Sequence, residues 1–459
     1  MKSFPPSTAI STLPWSKSIL AVFVIFLVVS DSSSHVRPPL LFSPDTLERK
    51  PVTGIGEPDP TRKESFPTFW GGNALTQEDR LYQGLKVTVF TLEGGAWIQH
   101  KKVRLSANTI EVIGKEAYKG YLKYGVTVQD QENGTTLRAG SGDYDKYEET
   151  VIIKDRPRLF FKDKNAKTTI IYAQTIERQL NTKITKLKGG VTVSHPEVTI
   201  FCKEATFNES EEVITTDQNP FLLSKDRYLT GRNLSFYTSD NRIVLDSKTI
   251  LIQGSTESVT SEGEEGKSKE KRIITILQGD NLENSIGESG ERSTVLKGNA
   301  SVLRENLKIN ANKLESIGAD GHTIKGRDSI KIEDRENHLV LTGNILDFFR
   351  KENYLHLTDN GKMEFLDAKS GEVTTTILAQ EFERFLDRDE TVIRGNITIQ
   401  GKGTQAQGEY ATYYEKEETV HLEGNPRMER NGRILRAGKI LFYPREGRAI
   451  LTEGVHLGN

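Results

Sequence analysis

Histidine, cysteine and paired carboxylates carry out most enzyme chemistry, and in this chain none of them falls into a catalytic pattern. The histidines are His35, His100, His195, His322, His338, His356, His421 and His456. No two stand four apart on a helix, and none joins a Cys/His cluster of zinc type. His421 and His456 alternate with apolar neighbours, which places them on the outward faces of strands. Asp143 and Asp145 flank Tyr144 and would share one strand face, where two carboxylates can hold a cation; the same residue types are commoner as turn formers. Gly401-Lys402-Gly403 is too short to cradle a phosphate, and neither a Gly-x-Ser-x-Gly motif nor a dinucleotide fingerprint is present. An enzyme acting on envelope polysaccharide would need carboxylates clustered in a cleft. No catalytic residue, metal ligand or cofactor is assigned, and the chain does not read as an enzyme.

Binding chemistry remains. Lys267, Lys269, Lys271 and Arg272 are interleaved with acids and lack stacking aromatics, and the net charge is −2. That balance suits a solvated loop and argues against a nucleic-acid partner. Cys202 is the single cysteine, so no intrachain disulfide can form; it lies in an apolar strand-like run, as a small core side chain would. The more telling residues are apolar pairs of equal parity: Val126 and Val128, Val191 and Val193, Ile397 and Ile399, Val420 and Leu422. Each pair faces one side of its strand. Stacked along an array, such pairs line a long apolar groove or fill a core. Either way burial stabilises by about 25 cal/mol per Å²; the occupant is acyl chains in one case and protein in the other.

The elements that position these pairs are short alternating strands, such as Leu85-Lys86-Val87-Thr88-Val89. Gly395, Gly424 and Gly454 are 29 and 30 residues apart. Gly-Asn pairs recur at Gly298, Gly343, Gly395 and Gly424. Glycine and asparagine tolerate positive φ, so each pair can form a corner or bulge between strands. No long stretch has a helical apolar stripe. Hydrophobic content of 35% with 27% charged residues fits a thin structure with much surface. The expected fold is all-β: repeated short antiparallel strands forming a sheet folded on itself and extended by stacking. Two ordinary β-sandwich domains are the competing architecture.

Residues 1–30 read as a signal peptide or a membrane anchor. The apolar run Ile19–Val29 is shorter than the roughly 20 residues of a membrane span. Val28 and Ser30 suit a cut after Ser30. Residues 31–75 are proline-rich and read as a tether. The expected domains are a first module at 76–253, a flexible polar insertion at 254–292 and a second module at 293–459.

The phrases Gly395-Asn396-Ile397-Thr398-Ile399, Val420-His421-Leu422-Glu423-Gly424-Asn425-Pro426, Leu435-Arg436-Ala437-Gly438 and Leu451-Thr452-Glu453-Gly454-Val455 resemble the OstA-like (LptA–LptC) family. These are the periplasmic bridge proteins of lipopolysaccharide transport. The resemblance is closest over 390–459, with related phrases over 120–245 and 293–385. It implies a β-jellyroll whose interior shields lipid A acyl chains, with Val126, Val128, Val191, Val193, Ile397, Ile399, Val420 and Leu422 as lining. It also implies a periplasmic location and pairing of edge strands with other bridge proteins. The path would run from an inner-membrane transporter to an outer-membrane translocon. The chain exceeds a single-module member in length and lacks the long barrel region of the translocon. The alternative is a structural or adhesive exported repeat protein with a packed core and no lipid.

Overall fold

The computed structural model describes residues 67–458, apart from 83–84, 226, 261–267, 288–289 and 319. The expected signal or anchor, and the tether as far as residue 66, lie outside the described residues. The unit Pro60–Asn459 is a single compact body. Among the described residues no helix occurs; thirty-two strands join in one sheet, paired antiparallel.

Most long strands bend in the middle, and the bend is a register shift. In Lys119–Asp130 the shift falls between Lys123 and Val126, where Tyr124 and Gly125 take φ of 64° and 80°. Residues before the shift pair in one wall and residues after it in a second wall. Thus Lys119–Lys123 pair with Thr109–Ile113, while Thr127–Asp130 pair with Val103–Ser106. Repeated along the chain, the shifts form a corner line, and the sheet folds into two walls that face each other. The turns line the opposite, open side, here called the mouth. Alternation does the rest: Leu122, Val126 and Val128 point between the walls and are buried, and their neighbours point out. Inward residues from both walls merge into one apolar cluster.

The Gly-Asn pairs all fall at corners, where the strand pairing shifts or breaks, and all but one do so with positive φ. Gly298-Asn299, Gly395-Asn396 and Gly424-Asn425 all take positive φ. Gly343 does not; it is there for space, since a Cβ would meet Leu357 Cδ1 at 2.9 Å. Two expected boundaries also differ. Thr68–Gly71 and the start of Ala74–Tyr82 are strands within the stretch assigned to the tether. Of the polar insertion 254–292, Gly254–Thr260 and Ser268–Ile286 are paired strand. Ile273, Leu277 and Leu282 alternate into the core there, a pattern that the Ser/Glu/Lys-rich start of the segment masks.

A longer regularity underlies the 29–30 spacing. Val103–Ile113 and Lys119–Asp130 recur as Leu307–Ile317 and Thr323–Asp334, 204 positions later. Ile184–Ser194 and Asn233–Tyr237 recur as Glu390–Gly401 and Lys439–Tyr443, starting 206 positions later. Asp155 and Arg156, both at positive φ, are matched by Asp359 and Asn360. Pro157 has no N–H to donate and separates Thr150–Lys154 from Arg158–Lys162. Its counterpart Gly361 lets Tyr354–Leu366 run through.

Candidate functional site: the enclosed interior and its mouth

All eight expected lining residues point between the walls. Val126, Val191 and Ile397 are 1% exposed, and Val128, Val193, Ile399, Val420 and Leu422 are at 0%. They belong to the continuous cluster rather than to a standing channel. Val193 pairs with Ile200 and Ile171, and Val420 with Tyr413 and Phe442, so protein side chains fill the interior at these positions. Thr398, between Ile397 and Ile399, faces out and is half-buried.

The mouth is closed by polar contacts from wall to wall. Asn165 Nδ2 donates to Ser239 O at 2.6 Å. Gln253 Nε2 donates to Asp320 O at 3.0 Å. Arg445 Nη2 donates to Asn337 O at 2.7 Å. The strongest closures are two buried charge triads. Arg178 binds Glu209 through Nε at 2.8 Å and Asp130 through Nη2 at 2.6 Å. Arg384 binds Glu415 through Nε at 2.7 Å and pairs with Asp334 through Nη2. In both triads Arg and Glu come from one wall and Asp from the other. Nη1 of each arginine is buried with no hydrogen-bond partner among the described residues.

These charges sit where they do for a structural reason. Asp130 follows Val126 and Val128 at the same parity, as Asp334 follows Ile330 and Ile332. Each is the last inward position before the mouth, where an apolar row must end against water. Burial acts to raise the Asp130 carboxyl. The Arg178 guanidinium and the N–H groups of Glu132 and Asn133 outweigh it, so the net shift is downward. For Asp334 burial likewise raises, and Arg384 with Asn337 brings the carboxyl down. Burial works against the charge of Arg384, but Glu415 and Asp334 more than compensate and push it up. These triads went unread in the sequence. The signal was a charged residue in phase with an apolar row, with Asp, Arg and Glu in the same order 204 to 206 positions apart.

The remaining candidates are accounted for by their neighbours. Tyr144 points inward at 2% exposure, so Asp143 and Asp145 share the outer face. Asp143 pairs with Lys154 at 3.2 Å, and Asp145 caps the turn through the N–H groups of Tyr147 and Glu148. Among the described residues, His356, Glu381 and Glu383 present ligand atoms within 4.8 Å of one another. Arg394 already bonds Glu383, and Tyr354 OH donates to it at 2.7 Å, so a guanidinium supplies the positive charge a metal would bring. His421 packs edge-on against Tyr414 at 4.7 Å. Cys202 pairs with Val191 and packs against the core.

Residues 279–448 match the family model described as LptA/(LptD N-terminal domain) LPS transport protein. Over those residues the chain is similar to an LPS-transport domain. No curated protein matches the chain. The matched stretch spans Arg384, Asp334 and Glu415, and four of the eight expected lining residues, Ile397, Ile399, Val420 and Leu422. Its family is one of transport. Counted back by 204 to 206 positions, its bounds correspond to 75–242, the stretch that holds the first triad and the other four.

Proposed function

We propose that the chain carries an envelope lipid, lipopolysaccharide or one like it, with its acyl chains between the two walls. One observation carries this reading: inward side chains of both walls form a single apolar cluster from Phe90 to Phe442, in a chain that matches an LPS-transport domain. Acyl chains are stabilised there by the same area-dependent burial that now joins the walls. Because Val191 and Ile397 are 1% exposed, lipid enters by parting the mouth. It exchanges wall-to-wall contacts for wall-to-lipid ones, and no covalent bond is made or broken. The matching strands, bulges and triads support reading 75–242 as a second copy of the domain, so that two modules share one interior. The location that fits is the periplasm, between an inner-membrane transporter and an outer-membrane translocon. The end strands Ala74–Tyr82 and Arg448–Thr452 pair with Leu85–His100 and Lys439–Tyr443; their other edges suit strand addition by neighbouring bridge proteins.

A photo-crosslinking residue at Ile397 or Val191 is expected to capture lipid in cells. Capture only at outward Thr398 defeats the assignment. A second reading, a structural protein with a permanently packed core, is favoured by the closed mouth. It predicts no co-purifying lipid by mass spectrometry of gently extracted protein.

A further inference from the structure

At the joint between the two halves the mouth changes character. Instead of a triad it holds a cavity of about 840 Å³, a size suited to a small molecule. Three cationic residues line it from each wall: Lys225, Arg227 and Arg272 on one side, Arg292, Arg350 and Lys351 on the other. Two carboxylates, Glu197 and Asp320, share the lining. Asp320 serves both Arg350 at 3.3 Å and Lys351 at 3.8 Å. Glu197 is divided between Lys167 at 3.6 Å and Arg292 at 3.9 Å. Six cationic side chains thus share the lining of one concave site with two carboxylates, and burial strengthens their attraction for an anion. Burial, and then the neighbouring charge of Arg292, pushes Arg227 down to about 10, with Asp320 opposing. Ser255 Oγ, also on the lining, is buried with no hydrogen-bond partner among the described residues.

We propose that this cleft binds a phosphate-bearing anion. Guanidinium groups converging from both walls match the planar, bidentate recognition of phosphate oxygens, and the Ser255 hydroxyl can donate to the same group. An adjoining cavity shares Arg227 and Arg292 and reaches the core residues Val198, Leu229, Phe236 and Ile243. A phosphorylated lipid headgroup would thus sit directly above an apolar interior. The cluster as a whole is not repeated: Lys146 and Glu116 echo the Arg350–Asp320 pair, but the positions 204 residues before Arg292 and Lys351 are Thr88 and Tyr147. The lipid form of the proposal rests on the carrier reading above; the anion form does not.

The test uses the full chain. Inorganic pyrophosphate is titrated calorimetrically into the wild type, into the rim double variant Arg272→Glu/Lys351→Glu, and into Arg292→Gln. Both rim side chains are exposed, so the double variant keeps the fold. The wild type is expected to bind, and each variant to bind about tenfold more weakly, as loss of charge-assisted hydrogen bonds dictates. No binding, or equal binding by all three proteins, overturns the site. A second arm uses micelles containing lipid A with and without its phosphates. A phosphate-dependent gain that the rim variant abolishes assigns the lipid headgroup; pyrophosphate binding without that gain assigns a free phosphoanion. Failure here, together with lipid crosslinking at Val191, overturns the cleft and leaves the carrier reading intact. Pyrophosphate binding without any crosslink does the reverse.

Discussion

The two halves of the array, 85–242 and 292–448, follow one plan but differ at the mouth. They share the corner bulges, the inward rows and the buried triad. They part at single inward positions near the turns. The first half has His100, against Glu149, Lys101 and Lys146, and His195, against Asp163, Lys167 and Glu197. The second half has Arg304 and Gly401 at those places. What recurs is what two facing walls require: corners that turn and a charged end to each apolar row. What does not recur, including the basic cleft that both halves line at the joint, reflects local demands that the shared plan does not set.

The sharpest way to break this comparison is to remove the arginines in turn. Arg178→Ala and Arg384→Ala each strand two buried carboxylates, and each is expected to cost roughly 3–5 kcal/mol in urea unfolding. Markedly unequal losses would show that the two mouths are not equivalent. A smaller effect tests the corner. Gly343→Ala places a Cβ at 2.9 Å from Leu357 Cδ1 and is expected to cost roughly 1–3 kcal/mol. The matching position in the first half is already Ala139, and Ala139→Gly is expected to change stability by less than about 1 kcal/mol. If Gly343→Ala is neutral, the close approach has no energetic weight.

The smallest expected effect is a difference in pH response. Burial holds both His100 and His195 below their ordinary value of 6.5. Their contribution is complete above the unfolded value and is lost as pH falls through the lowered folded values. The first half should therefore gain hydrogen exchange near His100 and His195 as pH drops below about 6.5, while the matching turns at Arg304 and Gly401 hold. Asp130 and Asp334 are also depressed. Their support is present above the ordinary carboxylate value of 3.8 and fades as pH falls further, in both halves together. Synchronous loosening near pH 6 would remove the proposed role of the histidines.

Much of the fold was legible because strand parity and corner chemistry are local. Gly395-Asn396 announces a bend, and Ile397 and Ile399 announce a face, without reference to any partner. Residues 254–292 misled because acidic and serine residues at the start of the segment obscure the alternation of Ile273, Leu277 and Leu282. The triads were missed because a lone Arg178 or Asp130 on a strand looks like any surface charge. Only parity distinguishes it, with Ile176 before Arg178 and with Val126 and Val128 before Asp130, and the partners of Arg178 lie 31 and 48 residues away.

The sequence by itself determined that this chain is a run of bent strands with one apolar face, since alternation and positive-φ corners are set by neighbouring residues. Only the tertiary structure decided that the two walls meet, that Val126 and Ile397 are sealed between them, and that six cations gather at the joint. Those outcomes depend on which distant strand ends lie opposite one another once the sheet folds, and hydrogen-bond register across many strands sets that distance, not local spacing.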